Sequence, residues 1–260
     1  MSTPRTVIAT RYVTPLREGG SLPAIVEGDD DGMYVTKFRG AGHGARALVA
    51  EWIGGELARS LGLRVPELVE VMIAEALGRA EADPEIQHLV LGSVGSNVAL
   101  DYLPGSLTFD PASDAPPSPE FAADVVWLDS LITNIDRSPR NPNLLVWHDQ
   151  HWLIDHGAAF YVHANWRDVD STATQAFALI ADHVLLPYAG SIEAAHARLA
   201  PRVDRAMLER ITADAPDAWF ADDALDRAAD DVRAAYVDWL VRRLDAAPTW
   251  VAEAERARTA

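Results

Sequence analysis

The tract Phe109-Asp110-Pro111-Ala112-Ser113-Asp114-Ala115-Pro116-Pro117-Ser118-Pro119 constrains this chain more than any other segment. Proline has no amide to donate and restricts the residue before it, so neither a helix nor a ladder strand runs through the tract. Upstream of it, Arg5 to Leu16, Leu22 to Glu27 and Met33 to Phe38 read as β segments joined by Gly-rich turns, which predicts an antiparallel sheet. From Gly44 to Leu61 the period becomes helical, with Val49, Ile53, Leu57 and Leu61 on one stripe and a stop at Gly62. Pro66 to Ile73 reads as a further strand, residues 74–92 as mostly helical, and Ser96 to Leu103 as extended up to Pro104-Gly105. Downstream, Glu120 to Ile132 reads as a buried helix. Leu144 to Trp147 and His151 to Ile154 bracket His148-Asp149-Gln150 as a hairpin, and residues 172–258 are largely helical. The boundary between the two regions is set near Gly105.

With 260 residues the chain can bury a core as one bilobal domain or two small ones. It has no cysteine, which excludes a disulfide framework and thiolate chemistry. No apolar run is long enough to span a bilayer, and Met1 to Leu16 lacks a secretory apolar stretch, so a cytoplasmic location without membrane attachment is expected. The net charge of -17 argues against nucleic acid as a partner. It leaves room for a local anion site built from a few fixed cations and a divalent metal.

One cation stands apart. Lys37 is the only lysine, against twenty-one arginines. Its compact ammonium offers a reach and hydration that the arginine fork cannot supply, and it sits on an alternating segment behind a Gly-rich stretch, a setting that suits contact with phosphate. Codon usage that replaces Lys with Arg explains the same count equally well.

The densest polar chemistry lies between Asn134 and Gly157, where Asp136, Asn141, Asn143 and Asp155 surround the short hairpin. Two carboxylates and an amide brought to one end of a hairpin suit magnesium, a hard cation that takes such oxygens, and leave one carboxylate to accept a proton. Taken singly, each residue is also ordinary turn chemistry. An apolar strand running into Asp155-His156-Gly157 is an unusual way to finish a core hairpin.

Asp136 followed five positions later by Asn141, then by Asp155 in Ile-Asp-His-Gly, resembles the catalytic and metal-binding loops of the protein-kinase-like superfamily. The phrases Arg-Asn-Pro-Asn-Leu-Leu and Leu-Ile-Asp-His-Gly-Ala-Ala resemble the HipA-like kinase family in particular, over approximately Val7 to Phe160. The resemblance implies an α+β, two-lobed protein-kinase-like fold. Residues 1–105 would form a small β-rich lobe with one long helix, and residues 106–260 a mainly helical lobe. It implies ATP and magnesium as cofactors, and transfer of the γ-phosphate to a hydroxyl acceptor on a protein or a small molecule.

Residue by residue, Asp136 matches the catalytic base, and Asp155 and Asn141 match the metal ligands. Asn143 competes with Asn141 because Leu144-Leu145 follows it. Lys37 matches the strand lysine, Glu51 its pairing acid with Glu56 as competitor, and Gly19-Gly20-Ser21 the phosphate-covering loop. Asp101-Tyr102-Leu103 matches the hinge, whose backbone at Asp101 and Leu103 would read the adenine edge. The sequence departs from the common pattern where Asn134-Ile135 precede the base and His156 replaces Phe; atypical branches share both changes. The additional N-terminal subdomain of full-length HipA toxins has little room here, which counts against a toxin role. The alternative is a nucleotide-binding pseudokinase or scaffold that acts through a partner. His148 and His151 are expected at the surface, and Trp219, Trp239 and Trp250 in the core.

Overall fold

A computed structural model describes residues 4–16, 22–42, 44–112, 114–164, 166, 168–221 and 226–260. Three upstream β segments become strands β1 (Thr6–Pro15), β2 (Ala24–Gly28) and β3 (Met33–Lys37), paired antiparallel in that order. Two more strands, β4 (Leu68–Ile73) and β5 (Gly95–Asp101), pair with each other, and β5 also pairs with β3. A parallel pairing of Thr6, Val7 and Ile8 with Glu70, Val71 and Met72 closes the five strands into a barrel. The period-two alternation on β3 sends Tyr34 into the barrel core. Val35 and Lys37 alternate to the opposite face and line a cavity beside the barrel.

Helix α1 (Ala45–Ser60) lies between the barrel and the helices downstream. The sequence predicts a single apolar stripe on it, but the helix is buried nearly all round, Glu51 and Glu56 included. Both of its flanks meet protein. Trp52 Nε1 donates to the Ile211 carbonyl at 2.9 Å, and Arg202 donates to the Ser60 and Leu61 carbonyls at 3.0 and 2.9 Å. Short helices α2 (Glu75–Arg79) and α3 (Pro84–Leu91) fill the region predicted as mostly helical, with the Asp83 carboxylate capping the second of them.

Past the Pro-rich tract, helix α4 (Pro119–Ile132) starts on a Ser118 Oγ cap. Strands β6 (Leu107–Thr108), β7 (Leu144–Trp147) and β8 (Gln150–Leu153) form a small antiparallel sheet. The β7–β8 turn places His148 and Asp149 at φ 49° and 59°, the geometry of a two-residue hairpin turn. The remainder is helical: α5 (Val169–Thr174), α6 (Ile192–Leu199), α7 (Arg205–Asp214), α8 (Asp217–Phe220), α9 (Ala229–Asp245) and α10 (Ala247–Thr259), with short 3-10 turns between some of them. Trp219, Trp239 and Trp250 are buried there. His148 is exposed, but His151 is half-buried, because its ring stacks on Phe121 and meets the edge of Phe109.

Candidate active site between barrel and helices

A cavity of about 840 Å³ opens between the barrel and the helical part. Val35, Lys37, Leu100, Asp101 and Leu103 line one side of it. Asp136, Asn141, Asn143 and Asp155 line the other. The chain thus brings together residues more than a hundred positions apart. Gly19, Gly20 and Ser21, expected over the phosphates, lie outside the described residues, as does His43.

Lys37 Nζ donates to Glu51 Oε2 and to Asp155 Oδ1, both at 2.5 Å. Glu51 is fully buried, and Lys37 nearly so. Burial opposes charge on both. For Lys37 the Asp155 and Glu51 carboxylates outweigh that penalty and hold the ammonium above its ordinary range. For Glu51 the lysine and the His156 contacts outweigh it and bring the carboxyl down to about 2. Glu51 Oε2 also accepts from the His156 amide at 2.8 Å, so α1 is tied to the segment carrying Asp155. The competing acid, Glu56, pairs with Arg59 at 3.3 Å instead.

The loop after α4 is organised by a buried cation. Arg137 Nε donates to Asp129 Oδ2 at 2.6 Å, and its Nη1 donates to the carbonyls of Asn143 and Ile154. Asp129 also takes a hydrogen bond from the Asn134 amide at 3.0 Å and contacts His183 Nε2 at 2.9 Å. Burial would raise the Asp129 carboxyl, but the Arg137 guanidinium and His183 hold it well below the usual carboxylate range. Burial pushes His183 down, with Asp129 opposing. Asp136 itself accepts from Asn141 Nδ2 at 2.8 Å and Asn143 Nδ2 at 3.3 Å, both on Oδ2.

At the hinge segment, the Tyr102 amide donates to the Met33 carbonyl at 2.9 Å and the Asp101 amide to the Glu67 carbonyl at 2.8 Å. The Leu103 amide has no acceptor among the described residues, and Leu103 lines the cavity. Burial, together with Glu67, raises the Asp101 carboxyl.

Sequence reasoning missed Asp129, Arg137 and His183 as parts of this site. One signal was present: Asp129 interrupts the apolar face Val125, Val126, Leu128, Leu131 and Ile132, and a lone acid there requires a buried partner.

A family model for HipA-like kinases matches residues 10–252. The chain belongs to that family. Among solved structures, a Helicobacter pylori proinflammatory kinase, CtkA, superposes with a TM-score of 0.55 at 12% identity, covering 98% of each chain. A Golgi casein kinase with Mn and ADP bound superposes with a TM-score of 0.51 at 13% identity, covering 96% of this chain and 73% of that one. No curated protein matches the sequence. The HipA-like chain therefore has a kinase fold, with mixed helix and strand, and family membership makes it a kinase-type phosphotransferase. No helix among the described residues is long and apolar enough to cross a membrane.

Proposed function

We propose that this HipA-like chain binds ATP with magnesium and transfers the γ-phosphate to a hydroxyl acceptor. Residues 1–105 and 106–260 would act as the two lobes of the kinase, and the cavity between them as the nucleotide site. The observation that carries the reading is the Lys37–Glu51–Asp155 cluster, set in one cavity with Asp136, Asn141 and Asn143. Lys37, braced by Glu51, holds an ammonium where the α- and β-phosphates would lie. The Leu103 amide, without an acceptor among the described residues, and the backbone of Asp101 suit the edge of adenine.

The donor set fits a hard divalent cation: the Asp155 carboxylate with an asparagine amide oxygen of the loop after α4, lining the same cavity. Such an ion, when bound, neutralises the charge of the phosphate oxygens. Asp136 keeps Oδ1 without a donor among the described residues, so it can orient an acceptor hydroxyl and take its proton. Most of the rate enhancement then comes from position and fixed charge. A cytoplasmic location, a protein or small-molecule acceptor and the absence of nucleic acid as a partner belong to the same reading, the last supported by the net charge of -17.

Turnover of ATP tests it. Wild-type protein should release ADP or label an acceptor, and Asp136→Asn should abolish transfer while leaving ATP affinity nearly intact. Nucleotide binding without turnover in the wild type would make the chain a nucleotide-dependent scaffold, and absence of binding would end the kinase reading.

A further inference from the structure

Two asparagines face the same cavity, and the five-residue spacing from Asp136 favours Asn141 as the metal-facing one. The way each is anchored favours a different division of work. We propose that Asn143 presents its amide oxygen to the divalent cation beside Asp155, and that Asn141 orients the Asp136 carboxylate; this rests on the magnesium-nucleotide reading above.

The first observation is where each residue is anchored. The Asn143 carbonyl accepts from the Ile154 amide at 3.1 Å and from buried Arg137, while Leu144 pairs with Leu153 in the adjoining ladder. Asn143 is therefore fastened directly to the strand end that carries Asp155. Asn141 instead belongs to a tight turn, bridged to Ser138 by backbone bonds of 3.0 and 3.1 Å, and has no bond to that strand among the described residues.

The second observation is what each amide donates to. Asn143 Nδ2 donates at 3.0 Å to the main-chain oxygen of Asp136, a partner that stays put when the carboxylate rotates or takes a proton, and reaches its Oδ2 only at 3.3 Å. Asn141 Nδ2 donates at 2.8 Å to Oδ2 of Asp136, the side chain that would meet the acceptor. No donor among the described residues reaches Oδ1 of either asparagine, so both oxygens keep their lone pairs and the anchoring decides between them.

The third is rigidity. Asn143 and Asp155, the two residues at the hairpin's open end, both hold left-handed backbone, with φ 47° and 56°. Asn and Asp are the side-chain-bearing residues that adopt this conformation most readily. Asn143 is buried, and Asn141 is half-buried. Magnesium demands near-ideal geometry, which favours the ligand whose backbone is locked over the one in a turn.

The test is titration calorimetry with the β,γ-imido analogue of ATP, with manganese and again with a chelator. Asn143→Gly removes the amide and keeps the left-handed backbone unstrained. Asn143→Asp keeps an oxygen donor there and serves if the glycine variant does not fold. Asn143→Gly should lose about 10- to 100-fold of manganese-dependent affinity while its chelator-treated affinity stays at the wild-type value. Asn143→Asp and Asn141→Ala should retain the manganese dependence. The reverse ranking, equal losses from the glycine and alanine variants, or loss of manganese dependence in Asn143→Asp, would each overturn the assignment. Wild-type protein that binds no nucleotide would remove the kinase reading and this inference with it, before any variant is compared.

Discussion

At the residue scale, Lys37 is the buried charge on which the site turns. Its two carboxylate partners come from different elements, and Glu51 has no water to fall back on. Removing one member of a buried pair leaves the other uncompensated, at about 3–5 kcal/mol. Lys37→Met should therefore lower stability by roughly that amount. Lys37→Met combined with Glu51→Gln should recover a good part of it, because a neutral amide oxygen can still accept from the His156 amide. Chemical denaturation of the two proteins checks this; equal stability would mean that Glu51 is not held as a charge. Lys37 was legible in the sequence only because arginine fills every other basic position. The residues that hold the Asp136 loop were less visible, since a buried Asp129–Arg137–His183 cluster joins segments up to 54 positions apart.

The same cluster sets an acid response. His183 has its folded value pushed below its ordinary one near 6.5, so the unfolded chain takes up the proton first. Stability that is full above about pH 6.5 then falls as the pH drops through that value. Asp129 adds its own loss lower down: its folded carboxyl lies below the ordinary value, so its contribution is present above about pH 4 and disappears as acid protonates it. Unfolding free energies of wild type and His183→Gln, measured from pH 7.5 to 5, should converge toward lower pH. Parallel curves would show that His183 carries no such linkage.

At the element scale, α1 shows what periodicity can and cannot report. The stripe Val49, Ile53, Leu57 and Leu61 gives the helix and its end at Gly62, yet it cannot say that a second partner covers the opposite side. That information sits in two adjacent glycines. A Cβ on Gly54 would stand 2.7 Å from His156 Cβ, whereas one on Gly55 would meet the tip of Leu68 at 2.9 Å. A mid-helix Gly→Ala change gains up to about 1 kcal/mol of propensity. Overpacking against a fixed neighbour costs about 1–3 kcal/mol and wins at Gly54, while the Leu68 tip can turn aside. Gly54→Ala should thus destabilise the protein and weaken nucleotide binding through the displaced Asp155 segment; Gly55→Ala should do little to either. Melting curves and nucleotide affinities of the pair check the ranking, and a harmless Gly54→Ala would show that His156 is not wedged against the helix.

At the scale of the whole molecule, the hairpins and the long helix were readable from local pattern, but barrel closure was not. The parallel pairing of Thr6–Ile8 with Glu70–Met72 joins segments some 64 positions apart, and no turn residue announces such a contact. The cavity has the same character: Lys37 and Asp155 are separated by 118 positions and become neighbours only once α1 is packed against both regions. Their proximity was available to sequence reasoning through family resemblance and not through periodicity. A ligand that spans this cavity binds the folded chain and cannot bind the unfolded one, so mass action must raise the melting temperature. At a ligand concentration about 100 times its dissociation constant, the gain is about 2.7 kcal/mol. For a chain of this size, each kcal/mol shifts the midpoint by roughly 2–4 °C, which gives a rise of about 5–11 °C. Lys37 already contacts Asp155, so ATP alone brings phosphate charge toward a carboxylate, and ATP with magnesium should give the larger shift. Thermal melts with ATP, with magnesium, with both and with neither measure this directly. Shifts that are equal with and without the metal would place the phosphates away from Asp155, and no shift at millimolar ATP would leave the cavity without its nucleotide.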